Sequence, residues 1–242
     1  MDRRMSLIFS SFFRALGQMG SGAFLKVIFL GAALALALLA AVTWGFGQLI
    51  FALAPDMIDL PFIGNVDGVA AILSWGGIAA MLVLSVFLMI PVASLFSGMF
   101  LDEVAGAVET RHYPNLPPAR DQGFYEGLRQ GVNFLGLVIA VNVPALILYL
   151  LFAPIAPLIF WAVNGLLLGR EYFALVSSRR MDVAAAKALH RAHWGKIWLA
   201  GICMAIPLSV PILNLIIPVL GVATYTHIFH ALQGRAVQTD VI

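Results

Sequence analysis

The chain has 242 residues, 62% of them hydrophobic and only 11% charged, with a mean hydropathy of +0.97. Soluble domains carry about 25% charged residues, so the composition excludes an ordinary soluble fold and predicts an integral membrane protein. A net charge of +2 is too small for a nucleic-acid binder, and a single cysteine, Cys203, excludes an intrachain disulfide.

The elements follow from where charge disappears. Residues 5–20 place Met5, Ile8, Phe9, Phe12, Leu16 and Met19 at helical spacing, with Ser6, Ser10, Arg14 and Gln18 on other faces. That pattern predicts an amphipathic helix lying on the membrane surface. The first apolar run starts too late and runs too long for a leader's core of about 7–15 residues, so no cleavable signal is expected. Residues 27–54 and 68–101 each exceed the roughly 20 apolar residues of a span and predict two long transmembrane helices. In the first, Gly31 and Ala35, and Ala33, Ala37 and Ala41, offer a small-residue packing face. An alanine-rich, lipid-facing helix fits the same residues.

Two further apolar stretches, 130–169 and 197–230, are interrupted by proline, and each predicts a helical hairpin. Pro154 and Pro157 divide the first, and Pro207 and Pro211 the second. The arm Ile197 to Ile206 reaches roughly halfway through a core of about 30 Å. Its return arm begins near Ile212, with Pro218 as a kink. The second hairpin is therefore expected to half-penetrate, while the depth of the first stays open because its first arm is longer.

Charge gives the orientation. All 14 Lys and Arg residues lie in the N-terminal segment, in the connectors 102–129 and 170–196, or at Arg235. The segment PDMIDLPFIGNVD has Asp56, Asp59 and Asp67 and no cation. The positive-inside rule puts that connector outside, and both termini with the other connectors in the cytoplasm. Hairpins that cross fully would obey the same rule. One membrane domain, 1–242, accommodates every element.

Enzyme signals are thin. His190 and His193 lie three apart on a helix that Asp182 caps, but Lys187, Arg191 and Lys196 around them favour a basic cytoplasmic face over a metal site. His227 and His230 lack a third ligand in the same way. No nucleophile–base pair, phosphate-binding loop or cysteine cluster is present, so neither catalysis nor a metal or cofactor is expected. The charges at the edges of the apolar runs say more. Asp102 and Glu109 are seven apart on one face of a continuing helix, while Glu103 and Arg111 are eight apart on a second face. Arg170 and Glu171 follow a run of leucines. Such charges either snorkel to the interface or meet inside the protein and line an aqueous path. Backbone amides at the tips of broken hairpins would add anion ligands.

Three stretches carry a family resemblance: FSGMFLDEV (Phe96 to Val104), GREYFALVSSRRM (Gly169 to Met181) and IPLSVPILNLIIPVLGVAT in the last hairpin. Along essentially its whole length the chain resembles the CysZ-type sulfate permeases, whose wider relatives include a eukaryotic etoposide-induced branch. The resemblance implies sulfate entry into the bacterial cytoplasm for cysteine synthesis. It also implies two long transmembrane helices and two half-penetrating hairpins in a homo-oligomer, a dimer or higher. The family's Gly-Leu-Arg-type sulfate motif precedes its first long helix. Here that place reads GSGAFLKVIFLG, with Gly20, Gly22 and one cation, Lys26. Lysine keeps the charge and loses the bidentate fork that suits sulfate. The letters GLR at Gly127 to Arg129 stand in another part of the chain and are read as coincidence.

These readings together predict an all-α integral membrane protein with two long transmembrane helices, two helical hairpins and an N-terminal amphipathic helix. Its expected partners are a sulfate ion, the lipid bilayer and further copies of itself. The anion candidates are Gly22 and Lys26, with Arg111 and Arg170 along the path. Asp102, Glu103, Glu109 and Glu171 are their charge partners. A dianion entering a negative-inside cell against 100 mV meets about 4.6 kcal/mol. Rapid consumption or accompanying protons must offset that, and Asp102, Glu103 or Glu109 near Arg111 is the expected proton carrier. A non-transporting scaffold, or transport of sulfite or thiosulfate, remains compatible with the same residues.

Overall fold

A computed structural model describes residues 3–53, 100–120, 124–210, 213 and 216–234. The described residues form helices and no strands: α1 (Arg3–Gln18), α2 (Gly22–Leu53), α3 (Asp102–His112), α4 (Phe124–Leu151), α5 (Ala156–Ser178), α6 (Val183–Ala205) and α7 (Ile217–Leu232). The fold is therefore all-α, as the helix-length apolar runs predict. The acidic connector and the long helix expected over 68–101 lie outside the described residues, apart from Phe100 and Leu101, which wind directly into α3.

Helix α1 is amphipathic with a further twist. It buries Ile8, Ser11, Ala15 and Gln18, one helical stripe, and packs along α7. Phe9, Phe13 and Leu16 remain exposed on another face. A turn over Gly20 ends the helix, and α2 leaves at 82° to it. If α2 stands across a bilayer, α1 lies along its surface. At about 1.5 Å per residue the 32 residues of α2 exceed the thickness of the hydrocarbon core. Its Phe29, Leu36 and Trp44 are exposed and present an apolar surface of the kind that lipid or further protein covers.

The first proline-broken stretch becomes α4 and α5, joined by a 3-10 turn at Ala153–Ile155. Pro157 falls in the first turn of α5, where no backbone donor is needed. Pro144 lies inside α4, a position that the sequence reading did not single out. Tyr125–Leu151 and Ala153–Ser178 are each long and apolar enough to cross a membrane. This stretch therefore has the length for two full crossings, because helix continues past the charge-free limits at 130 and 169 and carries Glu126, Arg129, Arg170 and Glu171 on its outer turns.

The second stretch differs. Asp182 caps α6 by accepting from the Ala185 amide at 2.8 Å. The helix stops at Ala205, before Pro207, which opens a 3-10 turn. Helix α7 starts at Ile217 and has Pro218 in its first turn. Pro218 therefore begins a helix where the sequence suggested a kink, since the first amides of a helix need no partner. The 16 residues of α7 reach about 24 Å, less than the roughly 30 Å of a bilayer core. Every residue from Val219 to His230 is buried, so α7 forms the centre of the fold, enclosed by α1, α3 and α5.

Glycine allows the closest approach. Helices α5 and α6 run against each other through Gly165, Gly169 and Gly201, with the Gly165 carbonyl where a side chain on Gly201 would go. A Cβ on Gly169 would sit 2.8 Å from the Ile197 carbonyl. That carbonyl accepts from the Tyr225 hydroxyl of α7 at 2.6 Å, and the Trp198 indole donates to the Ala162 carbonyl at 2.9 Å. Gly201→Ala should force the two helices apart and cost at least the roughly 1–3 kcal/mol of core overpacking. Gly195→Ala, where nothing lies within 4 Å, should be neutral or stabilising. Thermal unfolding of the purified protein in detergent measures both, and equal midpoints would refute the close crossing.

Candidate functional site

Among the described residues, the largest concentration of buried charge lies where α3, the α5–α6 turn and α7 meet. Glu109, on α3, is 3% exposed. Its carboxylate accepts from Arg180 Nε at 2.8 Å and Nη2 at 2.5 Å, from Arg179 Nη2 at 3.2 Å, and pairs with His230 Nε2 at 3.0 Å. Arg179 and Arg180 occupy the turn that follows α5. Arg179 also donates to the carboxylate of Asp102 and to its carbonyl at 3.2 Å. Two turns of helix separate Asp102 from Glu109, so one guanidinium spans both. Arg180 further donates to the Pro117 carbonyl, and the Arg120 amide donates to the Arg179 carbonyl at 2.9 Å. The loop after α3 is thereby tied to the same turn.

Burial by itself would raise the Glu109 carboxyl. The hydrogen bonds from His230 and Arg180, with their charges, outweigh it and hold the group below the ordinary glutamate range. Burial lowers the Arg179 guanidinium to about 10, with the Arg180 charge acting in the same direction. Both therefore stay ionised at neutral pH. A second layer covers this cluster. The Tyr113 hydroxyl lies 3.1 Å from His227 Nδ1, and its ring packs 4.3 Å from the His230 ring. Burial pushes the Tyr113 phenol up to about 12; the Arg14 charge opposes the rise and the Glu109 charge adds to it. The phenol thus remains protonated. His227 Nε2 is buried without a hydrogen-bond partner among the described residues.

A smaller, wetter pair sits at the elbow between α1 and α2. Lys26 Nζ meets Glu103 Oε1 at 2.7 Å, with the two side chains 57% and 37% exposed. Gly22 is the first residue of α2 and stands in open space. Gln18 Nε2 donates across to the Ala107 carbonyl of α3 at 3.3 Å, holding the elbow against that helix.

The sequence candidates thus divide. Asp102 and Glu109 come together through Arg179, and Glu103 meets Lys26 in place of Arg111. Arg111 and Arg170 are exposed, Glu171 is half-buried beside Arg170, and none of the three forms an ion pair among the described residues. Arg179, Arg180 and Tyr113 were not nominated from the sequence, and His227 and His230 were weighed there only as metal ligands and set aside. The twin arginines do lie inside the GREYFALVSSRRM stretch, and the two histidines interrupt an otherwise apolar helix. Among the described residues, no group of three or more His, Cys, Asp or Glu side chains could hold a metal.

Chemically, the Glu109 cluster is internally committed: two arginines face two carboxylates, and the Glu109 oxygens are occupied by Arg179, Arg180 and His230. It holds helices together and offers no open receptor. The elbow differs, since its cation is water-exposed and lies one turn beyond the free amides of a long helix.

Apolar helices long enough to cross a bilayer, wrapped around a charged and hydrogen-bonded interior, define an integral membrane protein. Residues 11–218 match the family described as Sulfate transporter CysZ/Etoposide-induced protein 2.4. That match covers most of the chain, which belongs to this family. No curated protein matches it significantly.

Replacing Glu109 by Ala strands two buried guanidinium groups and should cost about 3–5 kcal/mol. A midpoint within experimental error of the parent would refute the cluster's structural role. The sign of the pH dependence follows from the lowered carboxyl. Its contribution is complete above the unfolded value of about 4.3 and is lost as pH falls through the lower folded value. The stability gap between the parent and Glu109→Gln should therefore be flat near neutrality and close only below about pH 4.

Proposed function

We propose that the chain carries sulfate across the bacterial inner membrane for cysteine biosynthesis, without covalent chemistry and as a homo-oligomer with both termini in the cytoplasm. The family match over residues 11–218 is the observation that carries this reading. Anion contact is assigned to the α2 elbow, where the first-turn amides near Gly22 and the Lys26 ammonium offer positive charge to one ligand. Arg111 and Arg170 are assigned as exposed cations along the path, with Glu171 beside Arg170, while Glu103 balances Lys26 and Asp102 and Glu109 balance Arg179 and Arg180.

The pairing of Lys26 with Glu103 sharpens the mechanism. A sulfate ion approaching Lys26 displaces Glu103 or shares the ammonium with it. Releasing an exposed pair costs only about 0–1 kcal/mol, so the pair is no barrier to binding. It does place a carboxylate next to the anion, and protonation of Glu103 would favour entry. Inward movement of a dianion against 100 mV needs about 4.6 kcal/mol, the same as a concentration ratio of more than a thousandfold. A proton-assisted route lowers that demand; a channel-like route relies on rapid consumption of internal sulfate.

One observation favours a second reading. Lys26 is already paired and the arginine fork of the motif is missing here, which suits a membrane scaffold that transports nothing. Sulfite or thiosulfate would ask for the same donors as sulfate.

Purified protein in liposomes should take up radiolabelled sulfate saturably, and Lys26→Ala should reduce that uptake at least tenfold. Sulfite and thiosulfate as competitors rank the anions. Uptake no faster than in empty liposomes would sink the transport reading in favour of the scaffold. Proton assistance predicts slower uptake when an uncoupler is added at clamped membrane potential, and an unchanged rate assigns the channel-like route.

A further inference from the structure

Helix α6 is continuous in hydrogen bonding but changes direction at His193, whose φ of −124° and ψ of 18° leave the helical region. The two halves sit in different surroundings. Before the bend Val183, Lys187 and Arg191 are exposed, whereas Ile197, Ala200 and Gly201 beyond it are buried. Steps of four residues set Val183, Lys187 and Arg191 along one stripe of the first half, and Trp194 follows just past the bend. Trp194 is 57% exposed and stacks on Trp198, with ring centroids 5.8 Å apart at 20°. Trp198 is itself fixed by its hydrogen bond to the Ala162 carbonyl of α5. Neither Lys187 nor Arg191 has an ion-pair partner among the described residues, and α6 contains no Asp or Glu.

This combination specifies its surroundings. Indole rings settle at the headgroup level of a bilayer, where one edge is apolar and the other wet. Lysine and arginine near the surface are drawn to anionic lipids. The stripe runs directly into the apolar arm that begins the second hairpin, so it lies where the chain leaves water. Beside the stripe, Ala184, Ala188 and Ala192 are exposed and small, which lets the helix lie close to a flat surface. They supply too little apolar area for a protein interface, whose core is depleted of lysine.

We infer that the Lys187–Arg191–Trp194 stripe of α6 docks on anionic phospholipid headgroups and sets the level at which the second hairpin enters the bilayer. The bend at His193 is the hinge between the surface-bound and the inserted half. The two cations supply the preference for acidic lipid, and the Trp194–Trp198 stack supplies the depth.

The test uses the full chain in phosphatidylcholine vesicles containing a minor share of either brominated phosphatidylglycerol or brominated phosphatidylcholine. Bromine quenches tryptophan on contact, and Trp194→Phe isolates the signal of that ring. Quenching of Trp194 should be stronger with the brominated acidic lipid. The preference should fall about fivefold for each cation removed in Lys187→Gln and Arg191→Gln, and it should weaken at high salt. Arg191→Lys keeps the charge and should keep the preference. Equal quenching by the two lipids would overturn the inference, as would a preference that survives both charge removals. So would a Trp194 reached by aqueous iodide but not by lipid. Protection from both quenchers would show that protein rather than lipid covers the stripe, which also refutes it.

Discussion

The Glu109 carboxylate is the point on which the described architecture turns. It receives groups from the α5–α6 turn and from α7 while standing on α3, so three elements far apart in sequence share one anion. Burying a charge in this way is not a source of large net stability, since desolvation offsets most of the Coulomb gain. Its effect is on uniqueness. A slipped or rotated α3 would leave two arginines unpaired in an apolar surround, and the penalty for that alternative exceeds the worth of the pair itself. The loop after α3 inherits its position from the same turn through the Arg120 amide and the Pro117 carbonyl.

Around that anchor the protein is built for a solvent that gives no hydrophobic drive. Large apolar side chains on α2, α4 and α5 face outward, while the interior sets glycines, hydroxyls and imidazoles among apolar side chains such as Phe24, Phe173, Met204 and Phe229. Helices in lipid associate through close packing and interhelical hydrogen bonds, which reward small residues at the crossing. The glycine track between α5 and α6 and the Tyr225 bond to the Ile197 carbonyl are that strategy in this chain. Helix α7 can be short because it meets protein on nearly every side.

Adjacent residues on α3 serve different neighbours. Asp102 looks toward Arg179 and the buried cluster, and Glu103 toward Lys26 and the exposed elbow. A rigid helix therefore connects the proposed anion site with the charge network that orders the core. The exposed pair is weak and exchangeable, whereas the buried one is not. That contrast suits a structure in which a ligand is admitted at the edge while the scaffold stays fixed.

Much of this was legible in the sequence. Composition alone required a membrane protein, the 3.6-residue period marked α1 as amphipathic, Asp182 announced a cap, and the prolines at 154, 157 and 207 fell at the ends of helices. The spacing of Asp102 and Glu109 correctly placed both on one face. These are local properties, set by backbone sterics, side-chain period and the cost of charge in lipid. The partners were not legible. Glu109 pairs across 70 and 71 residues to Arg179 and Arg180 and across 121 to His230, while Lys26 reaches 77 residues to Glu103. Periodicity says which face a side chain occupies but not which helix lies opposite, so Arg111 and Arg170 looked as suitable as the arginines of the turn. The role of Pro218 and the central place of α7 were hidden for the same reason. A short apolar helix reads alike whether lipid or protein surrounds it, and only tertiary packing decides which.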